Sequence, residues 1–205
     1  MKLYYFPGAC SLAPHIVARE AGIALTLEKV DLANRTTETG ASYTAINPNG
    51  YVPALGLQEG SVLTEASVII QYLADSQPAA DLAPAHGTME RYRLLEWIGF
   101  ISTEIHKGFG PLWNPATPDA VKIATKERLA SRFAYLDKKL GSQPFLMGDT
   151  FTIADAYLFT VVNWTNFHAI DISPFPNLQA FQARIAARPA VQQALEAEGL
   201  VKKAA

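Results

Sequence analysis

Hydrophobic periodicity changes type once along this 205-residue chain, and the change divides it into two unlike parts. Over residues 1–76 the two-residue repeat of strands alternates with the 3.6-residue repeat of helices; from residue 88 onward only the helical repeat remains. Lys2–Tyr5 reads as a strand, Ser11–Ala21 as a helix closed by Gly22, and Leu25–Val30 as a second strand. Ser11 is a candidate N-cap, and Pro14 fits a first helical turn. The polar stretch from Asp31 to Asn49 has weak periodicity and one short helix near Tyr43. Val52–Leu57 gives a strand, Glu59-Gly60 a hairpin turn and Val62–Leu63 the returning strand. Thr64 is placed to cap a helix whose apolar positions Ala66, Ile69, Ile70 and Leu73 recur at helical spacing. A strand–helix–strand unit implies a parallel pair, and the hairpin adds an antiparallel edge.

Pro78, Pro84 and Gly87 mark residues 77–87 as a linker. Beyond it, Met89–Phe109 reads as one long helix with Leu94, Trp97, Ile98, Ile101 and Ile105 on a stripe. Ala120–Leu140 is a second, closed by Gly141, and Asn177–Ala187 and Ala190–Glu196 are shorter. In Phe151-Thr152-Ile153-Ala154-Asp155, Thr152 is an N-cap and Asp155, three residues on, completes a capping box. The helix that follows, through Phe167, is apolar nearly all round and belongs at the centre of a bundle. The expected fold is an α/β domain over 1–76, arranged βαβ then ββα, followed by an all-α domain over 88–205.

Lys and Arg total 17 against 19 Asp and Glu, for a net charge of −2, and no basic run tracks a phosphate backbone; nucleic acid is not an expected partner. A single cysteine forms no internal disulfide, so nothing marks an oxidising compartment. The apolar stretch before Pro7 is only Leu3–Phe6, short of the roughly 7–15 residues of a signal core. No segment approaches the roughly 18 apolar residues of a membrane span. These features predict a soluble cytoplasmic protein with no membrane partner.

The one cysteine, Cys10, sits where the first strand passes through Pro7-Gly8 into the first helix. An α/β domain with a thiol at its first strand–helix junction is of thioredoxin type. A thiol beside a helix N-terminus feels the positive end of the peptide dipoles, which favours the thiolate. The competing reading is a buried cysteine acting as a small hydrophobe. Where a dithiol oxidoreductase carries its second cysteine, this chain has Ala13, so any exchange chemistry must borrow a thiol from a ligand.

Three further features bear on what that ligand is. Asn49-Gly50-Tyr51-Val52-Pro53 enters a strand through an X-Pro bond that the sequence leaves open to cis or trans, and its backbone could take an extended peptide as an added strand. Thr64-Glu65-Ala66-Ser67 opens a helix whose free N–H groups suit a carboxylate, while Glu65 suits an ammonium group. Gly99, Thr103, His106 and Gly110 form a stripe of small and polar residues that could line a cleft, with Phe109, Trp113, Tyr157 and Trp164 as an apolar wall. Each has a plainer reading: a turn proline, a carboxylate complementing a helix dipole, a capping histidine, core aromatics. Together they describe a thiol, a peptide clamp and an amino-acid clamp, which is a site for glutathione, and no metal site.

The chain closely resembles the bacterial beta-class glutathione transferases of the cytosolic superfamily. The resemblance rests on Pro7-Gly8-Ala9-Cys10-Ser11-Leu12, Asn47-Pro48, Val52-Pro53-Ala54-Leu55 and Leu63-Thr64-Glu65. It continues through Glu104-Ile105-His106-Lys107, Phe151–Phe159 and Ala197-Glu198-Gly199-Leu200. It implies a homodimer that uses glutathione as co-substrate, with no other cofactor, and a small hydrophobic electrophile as second substrate. It further implies that Cys10 lies against the glutathione sulfur and that Val52, before a cis Pro53, binds the cysteinyl backbone. Glu65 would hold the γ-glutamyl end, Arg35 the glycine carboxylate, and Thr103, Glu104 and His106 would approach the site, some from the other subunit. Three positions depart from the family pattern: Ala66 offers only its backbone N–H where a serine is usual, Gly99 lacks a usual side-chain amide, and Arg35 stands where a lysine is usual, its bidentate fork suiting the same carboxylate. The expected mechanism is presentation of the glutathione thiolate to an electrophile, assisted by Cys10 and His106, with thiol–disulfide exchange through Cys10. The alternatives are a non-catalytic scaffold of the same fold and a specialised glutathione-dependent dehalogenase or lyase.

Overall fold

The computed structural model describes residues 1–141 and 143–201. The first part of the chain runs β1 (Lys2–Tyr5), α1 (Leu12–Glu20), β2 (Thr26–Asp31), β3 (Thr36–Thr37), α2 (Tyr43–Ile46), β4 (Ala54–Gly56), β5 (Val62–Thr64) and α3 (Ala66–Ser76). The strands form one sheet in the order β3-β2-β1-β4-β5. β1 and β2 are parallel, and β4 runs antiparallel to both β1 and β5. This is the βαβ-ββα arrangement read from the alternating periodicity, a thioredoxin-like sheet. Leu3 and Leu55 face each other across the ladder and, with Ile16 and Val17 of α1 and Ile69, Ile70 and Leu73 of α3, are fully buried. Each such aliphatic side chain contributes about 1.5–3 kcal/mol by leaving water, so the sheet and its two helices hold one another in place.

The second part runs α4 (Met89–Phe100), a π-helical turn (Ile101–His106), a 3-10 turn (Lys107–Phe109), α5 (Gly110–Trp113), α6 (Asp119–Leu140), α7 (Ile153–Val162), α8 (Trp164–Phe167) and α9 (Pro176–Ala186), followed by α10 (Pro189–Ala197). α6 buries Leu129, Phe133, Leu136 and Leu140, the spacing of one helical face. Every residue of α7 is buried, as its all-round apolarity predicts. The Thr152–Asp155 capping box is present at its start. No helix among the described residues is long and apolar enough to cross a membrane.

Four expectations need correction. Ser11 does not cap α1: its hydroxyl turns back to Phe6, accepting from the N–H and donating to the carbonyl at 3.2 Å each. Thr64 does not cap α3 but ends β5 opposite Ala54, and Glu65 takes the cap position at φ 70° with no side-chain cap bond. The helix expected over 89–109 gives way at Ile101 to a wider π turn, and the one expected through Phe167 is interrupted at Asn163. The described residues form two compact units, one of Met1–Ala83 with residues 187–201 and the other of Pro84–Ala186. α10 packs on α1, and the Arg188 guanidinium holds the Glu20 carboxylate at 2.6 and 2.9 Å.

Candidate active site

In the first unit the structure joins the thiol to the proline-bearing strand entry. β1 ends at Tyr5, and Gly8, at φ 72° in the region that favours glycine, turns the chain toward α1. Cys10, half-buried, then directs its Sγ at the Val52 carbonyl 3.2 Å away and donates to it. Only the protonated thiol can make that bond, so the helix N-terminus is not the sole influence on this sulfur. The Val52–Pro53 bond is cis. The β4–β5 ladder pairs Ala54 with Thr64, so Pro53 and Glu65 each adjoin one member of its last pair in sequence. Glu65 is exposed, and holding a non-glycine residue at φ 70° and ψ 117° costs on the order of 1–3 kcal/mol, the kind of strain that collects at ligand sites. Arg35, exposed and at φ 55°, lays its guanidinium beside Gly50, 3.8 Å from where a Cβ there would stand. The contacts thus join Cys10 to Val52 and Arg35 to Gly50, while Pro53 and Glu65 flank the Ala54–Thr64 pair.

Four residues that the sequence reading did not select support this edge. The Tyr43 hydroxyl and the Asn47 amide both donate to the Tyr51 carbonyl at 2.7 Å. Burial pushes the Tyr43 hydroxyl up to about 12, so it remains a donor at any physiological pH. Glu198, beyond α10, accepts from the Gly8 N–H at 2.9 Å, while His15 Nδ1 lies 2.9 Å from its other oxygen. Arg19 Nε donates to His15 Nε2 at 3.3 Å; that nitrogen therefore accepts, and Nδ1 carries the proton toward Glu198. The only sequence sign of Glu198 is its place in the closing Ala197–Leu200 motif.

In the second unit the stripe expected from α-helical spacing does not survive the π turn. Gly99, Thr103 and Gly110 are exposed, and Thr103 Oγ1 donates to the Gly99 carbonyl of its own helix at 3.0 Å. His106 instead turns inward, with Nδ1 2.6 Å from the Tyr157 hydroxyl and its ring edge-on to Trp164 at 5.0 Å. Glu104 faces α6, where Arg132 and Arg128 bind it at 2.7 and 3.2 Å and hold it below the usual carboxylate range. The four aromatics expected as a wall do come together: Trp164 meets Phe109 at 5.5 Å and Trp113 at 5.4 Å, and His106 joins Tyr157 to them. Phe109, Tyr157 and Trp164 are nonetheless core, at 0%, 1% and 4% exposure, and only Trp113, at 49%, presents a face to solvent.

Burial, with a contribution from Lys107, pushes the His106 ring down to about 4, so the imidazole is neutral at pH 7 and acts through hydrogen bonds rather than positive charge. The unfolded chain, with an ordinary histidine near 6.5, takes up its proton first as pH falls. Stability from this group is therefore complete above about pH 6.5 and is lost progressively down to pH 4, by about 3 kcal/mol. His106→Gln should flatten that limb in urea unfolding measured from pH 7 to pH 4. An unchanged slope would refute the assignment.

The chain matches the family model described as glutathione S-transferase, N-terminal domain, over residues 8–76, and that of the C-terminal domain over residues 100–189. It is 46% identical over 200 residues to glutathione S-transferase GstA of Escherichia coli O157:H7, covering 98% of this chain and 100% of that protein. The solved structure of a sphingomonad glutathione S-transferase complexed with glutathione is similar at TM-score 0.94 and 48% identity, over 98% of this chain and 100% of that one. A bacterial beta-class glutathione S-transferase from Sphingomonas chungbukensis is similar at TM-score 0.95 and 48% identity, with the same coverage. Shared domains, full-length identity and the sheet topology place this chain in the glutathione S-transferase family, with its bacterial beta class.

Proposed function

We propose that this protein binds glutathione along the Val52–Pro53 edge of its first unit and transfers it, as the thiolate, to small hydrophobic electrophiles. The observation that carries this reading is the meeting of the Cys10 thiol with the Val52 carbonyl at 3.2 Å. A cysteinyl peptide added along that edge brings its own sulfur to Cys10. Glu65 pairs with its ammonium end, the Ala66 N–H offers a donor at the start of α3, and Arg35 forks onto a carboxylate. His106 assists as a neutral hydrogen-bonding group, with Thr103 and Glu104 near it in sequence. Trp113, half-exposed, is the candidate contact for the electrophile, with Phe109, Tyr157 and Trp164 supporting it from the core.

Cys10 also serves thiol–disulfide exchange. Its thiolate attacks a glutathionyl mixed disulfide, the substrate sulfur leaves and takes a proton, and Cys10 holds glutathione through a new S–S bond. A second glutathione thiolate then releases glutathione disulfide and restores Cys10; Ala13 leaves no internal sulfur to do so. The protein acts in the cytoplasm as a homodimer, a reading supported by exposed apolar side chains in each unit, Val68 and Tyr72 on α3 and Met89 and Tyr92 on α4.

Purified protein should be retained on immobilised glutathione, turn over a panel of aromatic electrophiles and reduce glutathionyl mixed disulfides, and should sediment as a dimer at micromolar concentration. Cys10→Ala should abolish exchange while leaving retention. Absence of both retention and turnover would favour the scaffold reading, and a monomer in sedimentation would remove the dimer. Activity confined to halogenated substrates would point to the dehalogenase.

A further inference from the structure

We propose that Tyr43 and Asn47 are positioning residues that lock the Tyr51–Val52 peptide so that the Val52 N–H and C=O face the bound glutathione backbone. The inference rests on the glutathione reading of that edge. Both donors converge on one acceptor, the Tyr51 carbonyl, at 2.7 Å each. Tyr43 is 0% and Asn47 3% exposed, so both donors are held out of water on the protein side of that oxygen. The Tyr51–Val52 peptide is trans, since Val52–Pro53 is the cis bond here. In a planar trans peptide the N–H points opposite to the C=O. Drawing the Tyr51 carbonyl inward therefore turns the Val52 N–H outward, where no acceptor among the described residues meets it. Pro53 has no N–H, which leaves the two backbone groups of Val52 as the hydrogen-bonding pair at this bend. The Val52 carbonyl already receives the Cys10 thiol, so the same lock sets the acceptor that orients the sulfur.

The surroundings keep the two donors fixed. Tyr43 packs with Val30, Val52 and Ala54 in a small buried cluster, its ring 5.8 Å from that of Tyr4. The Asn47 N–H bonds to the Tyr43 carbonyl at 2.8 Å, and Asn47 Oδ1 accepts from the Asn49 N–H at 3.2 Å. The amide is thus oriented with its nitrogen toward Tyr51. Neither residue reaches the ligand; each acts through the peptide it holds.

The test compares wild type with Tyr43→Phe, which keeps the ring and removes only the hydroxyl, with Asn47→Ala, and with both together. Each single change should raise the KM for glutathione about fivefold, the equivalent of one hydrogen bond, and the pair about 25-fold. The kcat at saturating glutathione should stay within about twofold, because the lock serves ground-state binding. General destabilisation lowers the folded fraction and hence kcat, and does not produce this split. In parallel, the rate at which iodoacetamide alkylates Cys10, the only cysteine, should change at least about threefold in the double variant without glutathione present, as expected for a weakened hydrogen bond. A double variant with wild-type KM overturns the proposal. Should the wild type not bind glutathione at all, the functional reading fails, and the alkylation rate alone decides the lock: unchanged, it is absent; shifted, it stands.

Discussion

Glu198→Ala is expected to lower the unfolding free energy by about 3–5 kcal/mol and the midpoint of thermal unfolding by roughly 10 °C. The carboxylate is fully buried and joins three parts of the chain that sequence keeps far apart: its own tail, the Gly8 turn and α1 through His15. Removing it takes the carboxylate acceptor from the Gly8 N–H and the His15 Nδ1–H in a dry interior, and a buried donor that loses its acceptor costs more than a missing contact. Glu198→Gln discriminates the electrostatics from the packing. One glutamine oxygen can still accept, but its NH2 then faces either the Gly8 N–H or the His15 Nδ1–H, both donors. His15 could relieve the clash by moving its proton to Nε2, where Arg19 Nε already donates at 3.3 Å. The amide variant should therefore lose roughly half as much as the alanine variant, about 2 kcal/mol, rather than behave as an isostere. Urea and thermal unfolding of the three proteins would read this order directly. A glutamine variant as stable as wild type would show that the carboxylate charge is not what holds the turn. Because Cys10 lies two residues beyond Gly8, both variants should also raise the KM for glutathione.

That network explains what the sequence could and could not convey. Strands and helices with a strong repeat were legible: Lys2–Tyr5, the β4–β5 hairpin, α3, α6 and the all-apolar α7 lie within a few residues of where periodicity puts them. The short pair Thr36–Thr37 was not, because two residues carry no periodicity. Caps failed where other structure claimed the residue: the Ser11 hydroxyl serves the Phe6 turn instead of α1, and the Thr64 backbone completes a ladder. The π turn at Ile101–His106 leaves no compositional trace, since its residues would fit an α-helix equally well, yet it decides that His106 faces Tyr157. Candidate site residues tied to a local motif, Cys10, Val52, Pro53 and Glu65, are within reach of a sequence reading. Residues acting across sequence separations of 183 and 190 positions, as His15 and Gly8 do with Glu198, could not. Asn47 and Tyr43 fall between these cases. Asn47 belongs to a recognisable Asn-Pro pair, but which carbonyl it grips is a fact of the folded loop.

Asp155→Ala should destabilise the helical unit by about 3–5 kcal/mol, a loss on the same scale from a different cause. The Asp155 carboxylate, 0% exposed, accepts from the Thr152 N–H at 2.8 Å, the Thr152 hydroxyl at 2.9 Å and the Leu146 N–H at 2.8 Å. The first two close the start of α7, and the third docks the Phe145–Gly148 turn against it. α7 cannot fray into water to satisfy those groups, because all ten of its residues are buried. An exposed helix that loses its N-cap gives up about 1 kcal/mol; this one also leaves two backbone donors and a hydroxyl without an acceptor in the core. Asp155→Asn keeps the shape and one acceptor oxygen while turning an NH2 toward a ring of donors, so it should fall between wild type and alanine. Thr152→Ala, which removes a hydroxyl but leaves both backbone bonds to Asp155, should lose only about 1 kcal/mol. Urea unfolding of the three variants tests the order, with Asp155→Ala the least stable, Asp155→Asn next and Thr152→Ala nearest to wild type. Equal losses at the two positions would mean that Asp155 acts only as a helix cap and that its bond to Leu146 contributes nothing.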